Sequence, residues 1–440
     1  AGKPIKDAKG EVVPWLAVKS THSSDFRTWT FELRPDVTFS DGKAMTPEDV
    51  VYSLNAIRAT ETWKDLFSEI SAVKKGSETS VVVTTRVPSP SLESSLALPF
   101  AAIMPADLGG ASPDAFGEKP IGTGPFRVAS WEHGRTLTLE RNPEYWDPEK
   151  PLLDNVVFHI TPNDNSRALQ LRGGDLDLIA EPPLPQLSAI DDASGTKVSS
   201  FALAIPDYLL MNKASDTFAD ARVRQAADLA VDRSAIVKAA TSGRGEPGGS
   251  WFAPSLEYYD KSLVVERDVA QAKQILAEAV ADGIDPAFGL LVVSGDTYAK
   301  LTSQIIKDNL EEVGFSVRID QLDNSARLAQ ISSQDYDAAL FGMTSDIPEP
   351  SEVVGFYLSL DGLWSGGPTD QVGKLFEAAK QEPDENRRRD LYEQVQKAVV
   401  DDRALVTLNY RRWNWAMQDN VAGFELPPTG VPWFADVGFS

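Results

Sequence analysis

The chain has 440 residues, too many for a single compact core, so two or more domains with real interiors are expected. Its 42 basic against 65 acidic residues leave a formal charge of -23, which repels nucleic-acid phosphates and anionic headgroups, and no apolar run approaches the ~20 residues of a membrane span. The absence of cysteine excludes disulfides, thiolate nucleophiles and cysteine-bound metal together.

From Asp25 to Asp41, apolar and polar residues alternate through Trp29, Phe31, Leu33 and Val37, which predicts a half-buried strand. A helix follows: Thr46 and Asp49 form a capping box, Pro47 takes the first helical position, and Val50, Leu54 and Ile57 share a face. β-branched runs at Ser80–Thr85 and Thr136–Glu140 predict strands, separated by a Pro- and Gly-rich stretch around Pro105 to Pro125. Asp220 caps a helix carrying Val223, Ala226, Ala227, Ala230 and Ile236, and four glycines and a proline between Gly243 and Gly249 break the chain. Beyond Asp296 the elements alternate: a helix through Leu301, Ile305 and Leu310, a strand Ser316–Ile319, a helix near Leu328, and a strand Ala338–Met343. That alternation predicts a sheet with crossover helices, an α/β fold. Two amphipathic helices follow, around Leu375 and Phe376 and through Leu391, Val395 and Val399, and Val406–Tyr410 reads as a short strand.

Four blocks carry a resemblance. The first strand and helix spell RTWTFELRPDVTFSDGKAMTPEDVVYSL. PIGTGPFRV with LERNPEYW, LQLRGGDLDL, and FADARVRQAADLAVDRSAIV follow in order between Pro120 and Val237. Together they resemble the peptide-binding class of ABC-importer solute receptors, the dipeptide- and oligopeptide-binding protein family, also called bacterial solute-binding protein family 5. Within these blocks Asp41 and Gly42 read as turn formers, Arg141 and Asn142 as framework hydrogen-bonders, and Asp232 and Arg233 as a local charge pair.

The resemblance implies a two-lobed periplasmic-binding-protein-like fold with two chain crossings and an extra subdomain inserted in lobe one. Placed on this chain, residues 1–119 hold the inserted subdomain, 120–204 lobe one, 205–420 lobe two, and 421–440 the C-terminal return to lobe one. The crossings then fall near Pro206 and Val421. It also implies N-terminal strands of lobe one and a signal peptide or lipid-modified cysteine ahead of GEVVPWLA. The implied activity is extracytoplasmic, periplasmic or tethered to the outer face of the cytoplasmic membrane as a lipoprotein. A monomeric receptor closes around a peptide-like solute and delivers it to the permease subunits of an ABC importer, with no cofactor. An oligosaccharide receptor of the same family is the alternative.

A peptide zwitterion in a poorly hydrated cleft needs both charges compensated. By register with the family, Asp346 in the loop after AALFGM presents its carboxylate to a ligand ammonium, with Met343 and Thr344 lining the same pocket; the plainer reading of Asp346 is a loop aspartate bonding its own backbone. At the other pole the oligopeptide receptors carry an arginine at the position of Leu340. Arg411, Arg412 or Arg244 are substitutes, each of which reads first as a solvated surface residue. Ten tryptophans raise the sugar reading, since an indole stacks on a pyranose. Trp29 and Trp146 fall in framework blocks and read as core, whereas Trp251, Trp364 and Trp413 are candidates to line a cleft.

An enzyme is the competing class, a hydrolase using paired carboxylates such as Asp346 and Glu349. Pro348 between them argues for loop shaping, and no nucleophile-elbow, P-loop or HExxH motif occurs. His22, His133 and His159 stand too far apart in sequence to suggest a metal site.

Overall fold

A computed structural model describes residues 12–60, 67–342, 349–359, 369–427 and 430–440. The chain divides into two compact units. One holds residues up to Phe201, a short return at Lys380–Pro383 and Asn414–Ser440; the other holds Ala202–Ala379 and Asp384–Trp413. No helix of the described residues is long and apolar enough to cross a membrane.

The first unit opens with β1 (Ala17–His22) and β2 (Thr28–Leu33). The alternation read as one strand to Asp41 ends at Leu33, because Pro35 follows, while Val37 and Phe39 are buried from an irregular segment. Helix α1 (Pro47–Ala59) carries the capping box: the Asp49 carboxylate accepts from the Thr46 backbone N–H at 2.8 Å, and its second oxygen accepts from Ala106 N–H at 2.7 Å. β3 (Ile70–Ser77) and β4 (Ser80–Thr85) complete an antiparallel sheet of order β1-β2-β4-β3. Trp29, Leu33, Val81 and Val83 face Val50 and Leu54 of α1 in one core.

Helices α2 (Leu92–Leu96) and α3 (Pro113–Glu118) precede β5 (Phe126–Glu132), β6 (Thr136–Arg141) and β7 (Asn155–His159), a three-stranded antiparallel sheet. The framework residues do what their chemistry requires. Asp41 accepts from Lys43 N–H beside Gly42 at φ 87, Arg141 reaches Asp154 at 3.1 Å, and Asn142 donates to the Gly124 carbonyl at 2.8 Å. Helix α4 (Asp164–Gly173), β8 (Leu178–Ala180) and α5 (Leu187–Asp191) bury Ala168, Leu171, Ile179 and Ile190 around Ala416.

The chain passes to the second unit inside β9 (Thr196–Met211), a sixteen-residue strand. Its pairing with β13 begins at Asp207, directly after Pro206, which has no N–H to donate. Helices α6 (Ala221–Ala230) and α7 (Arg233–Ala240) replace the single helix expected after Asp220, divided at Val231 and Asp232. The charge pair read from the sequence is corrected here. Asp232 caps α7 through Ala235 N–H at 2.8 Å, while Arg233 turns inward to Asp228 and donates to the Thr407 carbonyl at 2.8 Å. The Gly-rich break contains β10 (Gly245–Pro247), an edge strand. A Cβ at Gly248 would stand 2.4 Å from the Thr407 carbonyl oxygen, so only glycine permits that approach.

Next come α8 (Val269–Ala281), β11 (Ala287–Val293), α9 (Thr297–Val313), β12 (Ser316–Leu322), α10 (Asn324–Ser332), β13 (Ala338–Gly342) and α11 (Ser351–Ser359). The helices Thr369–Gln381 and Glu385–Asp402 lead to β14 (Leu405–Gln418), far longer than the short strand expected, within which the chain leaves the unit. β15 (Val421–Ala422) and β16 (Gly438–Phe439) pair at the C-terminus. The second unit's sheet runs β10-β14-β9-β13-β11-β12. β11 is parallel to both β12 and β13, with α9 and α10 as the crossovers the alternating pattern predicts.

Candidate functional site

In the second unit β11 lies between β12 and β13. The chain goes from β11 outward to β12, then back across β11 to β13, so the strand order reverses at the β11–β13 boundary. Carboxyl ends of strands at such a reversal are where open α/β sheets hold ligands. The residues found there form a linked polar group.

Asp207 is paired in register with Gly342, the last residue of β13, and is only 5% exposed. Tyr298 enters from the first turn of α9, which Asp296 caps through Ala299 N–H at 3.1 Å. The Tyr298 hydroxyl donates to Asp207 Oδ2 at 2.9 Å and accepts from Asn409 Nδ2 at 2.6 Å. Arg411 on β14 stands with Nε 2.6 Å from the same Asp207 oxygen and its guanidinium carbon 4.5 Å from the centroid of the Tyr298 ring.

Burial raises the Asp207 carboxyl above the ordinary carboxylate range, against Arg411 and Tyr298, which lower it. Burial also lifts the Tyr298 phenol, reinforced by Asp207. For Arg411 burial opposes the charge, and Asp207 and Tyr298 outweigh it, so the guanidinium stays firmly protonated. Its side chain is 39% exposed, so the arginine is held by Asp207 and a ring face while part of it stays open to incoming groups. A planar cation oriented by Nε and by stacking is suited to a carboxylate.

Asp346, Met343 and Thr344 lie outside the described residues, as does Trp364. Both flanks of that loop are described. On one side Gly342 meets Asp207. On the other, Glu349 is 3% exposed and both its oxygens are committed: Oε1 accepts from the Tyr392 hydroxyl at 2.6 Å and Oε2 from Ser351 N–H at 2.8 Å, at the start of α11. Tyr392 stacks on Tyr258 with ring centroids 5.3 Å apart. A carboxylate locked in this way anchors a loop and is a poor partner for acid–base chemistry. Tyr392→Phe is expected to lower unfolding free energy by about 1–3 kcal/mol by leaving Oε1 unbonded, measured by chemical denaturation. An unchanged midpoint would show that Glu349 finds another donor.

Trp251 is wholly buried, against Phe252 and Tyr357 at ring-centroid distances of 5.3 and 4.8 Å. It fills the second unit's core, which corrects its reading as a cleft-lining surface. Trp413 is half-buried and is the last residue of that unit along β14. Arg412 and Arg411 are similarly exposed and differ in their partners: Arg412 pairs with the exposed Glu246 at 3.3 Å, Arg411 with the buried Asp207. Asp207 was findable: it is the one charge in the apolar run ALAIPDYLLM, and such a charge needs a buried partner, whereas Arg411 in LNYRRWNWAM stands beside Arg412 and between two asparagines and is not singled out. Tyr298 carried no such signal.

Comparisons with known proteins agree on one class. The family model "Bacterial extracellular solute-binding proteins, family 5 Middle" matches residues 11–363. A dipeptide-binding protein of Pseudomonas aeruginosa is 26% identical, over 94% of this chain and 84% of its own length. Among solved structures, the binding protein AgaA of A. tumefaciens R10 in complex with agropinic acid superposes with a TM-score of 0.81 at 26% identity, covering 100% of this chain and 92% of that one. The oligopeptide-binding protein AppA of Bacillus subtilis in complex with a nonapeptide superposes with a TM-score of 0.81 at 25% identity, covering 99% and 92%.

Proposed function

The chain belongs to family 5 of the bacterial extracellular solute-binding proteins, and on that premise we propose that it is a receptor for a peptide or peptide-like solute. It captures the ligand by lobe closure and hands it to the permease subunits of an ABC importer, acting as a monomer on the extracytoplasmic side. The observation that carries the ligand class is the Asp207–Tyr298–Arg411 group. It holds a guanidinium, with part of its side chain accessible, where strand order reverses, as a solute bearing a carboxylate requires. Asp346 supplies the opposite pole, the carboxylate for a ligand ammonium. The pairing favours a peptide over an oligosaccharide, which offers neither charge, and Trp251 is withdrawn from the stacking surfaces a sugar would use.

Native mass spectrometry of freshly purified protein, followed by calorimetry against panels of peptides and oligosaccharides, tests this. Retained or titrated peptide at one-to-one stoichiometry is the expected result. Binding confined to oligosaccharides, or turnover of a peptide to products, would overturn it.

A further inference from the structure

The core of the first unit is not completely filled. Residues of β1, β2, β4, α1 and the segment around α2 line a cavity of about 210 Å³. Phe31 and Val81 of the sheet, Val50 and Leu54 of α1, and Leu96 and Ile103 from α2 and beyond give it an apolar wall. The space is left open because the residues that complete the wall are short: Ala97, Ala101 and Ala102 in the chain after α2, and Ser20 of β1, which pairs in register with Phe31. An apolar cavity stays dry, and one of about 150 Å³ takes benzene, so this one has room for a ring with a short side chain.

The wall carries two charges, and they differ in setting. Lys19 is exposed and stands across from Glu32 of β2, so water and salt screen its ammonium. Glu93 of α2 is half-buried, and among the described residues only the Ser20 hydroxyl, which donates to Oε1, reaches its carboxylate. A carboxylate offers about four acceptor sites, and one drawn partly out of water gains from a cationic partner. The sign of the cavity is therefore set by Glu93.

We propose that this cavity is a second binding site, for a small apolar primary amine: the hydrocarbon body enters the cavity and the ammonium meets the Glu93 carboxylate. The site is built entirely by the first unit, whereas the Asp207–Tyr298–Arg411 group belongs to the second, so it stands apart from the receptor reading above and does not rest on it.

The test is calorimetry of the full chain with phenethylamine, a ring on a short chain ending in an ammonium, against ethylbenzene as its neutral counterpart and phenylpropionate as its anionic one. The unaltered protein should bind the amine about tenfold or more tighter than either counterpart, as a charge-assisted hydrogen bond provides. Glu93→Gln should erase that preference and leave ethylbenzene nearly unchanged, and Ser20→Leu, which fills the cavity, should abolish binding of both. Asp346→Ala should leave the affinity for phenethylamine as it is. Loss of binding there, with binding kept in Ser20→Leu, would place the amine in the solute site and overturn the proposal. Equal affinity of the unaltered protein for phenethylamine and ethylbenzene would overturn the role of Glu93, and no binding of phenethylamine at all would overturn the site while leaving the peptide reading untouched. Should Ser20→Leu fail to fold, carbodiimide coupling on the unaltered protein decides: phenethylamine should be joined as an amide to Glu93 at concentrations that leave the exposed Glu144 unmodified, and ethylbenzene should suppress the coupling. Coupling at Glu93 no greater than at Glu144 would count against the proposal.

Discussion

Replacing Asp346 with alanine is expected to cost an amine-terminated ligand about 2 to 5 kcal/mol, a loss of about 30-fold to several thousandfold in affinity. The size follows from the proposed pairing, since a ligand ammonium would lose its charge partner in a closed cleft. Both flanks of the loop are tied to the second unit, at Gly342 by pairing with Asp207 and at Glu349 by Tyr392 and the α11 backbone, so the substitution should act on the ligand more than on the fold. Calorimetry with one peptide in free and N-acetylated forms separates the effects. Alanine should remove the preference for the free amine and leave the acetylated form nearly unchanged. Equal affinity of the variant and the unaltered protein for the free peptide would reduce Asp346 to a loop residue bonding its own backbone.

Local chemistry made much of the fold legible. The capping box at Thr46 and Asp49, the turn at Asp41 and Gly42, and the alternation from Asp296 to Gly342 all appear where residue type and period place them. What escaped were features decided by distant partners. β9 runs on through Pro206, where the resemblance places a chain crossing, because its hydrogen bonds come from β13 and β14 and not from its own neighbours. β14 continues past Tyr410 for the same reason: Trp415 to Met417 pair with β8, more than two hundred residues earlier. Arg233 beside Asp232 looks like a local pair, yet its donor geometry is satisfied by Asp228 and Thr407. The site follows the same division. Register with the family pointed to Asp346 from sequence, and Asp207 was visible as a charge in an apolar strand without a known partner, while Arg411 stood only as one of three substitute arginines.

The asymmetry of the Asp207–Arg411 pair yields the second large effect. Asp207 is buried while Arg411 keeps 39% of its side chain exposed, so removing the arginine strands a carboxylate, whereas removing the acid leaves a cation that water reaches. Arg411→Met is therefore expected to lower stability at pH 7 by about 3 to 5 kcal/mol, and Asp207→Asn by only about 1 to 3 kcal/mol. The double variant should regain most of the difference, since no charge is then stranded. The pH dependence has a defined sign. Burial already raises the Asp207 carboxyl above its ordinary value of 3.8, and without Arg411 Tyr298 is the donor that remains among the described residues to oppose that. A carboxyl whose folded pKa exceeds its unfolded one binds its proton more tightly when folded. The Arg411→Met penalty should thus be small below the ordinary value, grow as pH rises through the raised folded value, and be complete at neutrality. Urea denaturation of the three variants at low and neutral pH measures it. A penalty independent of pH would mean that Arg411 stabilises the strand by packing on Tyr298, with its charge contributing little.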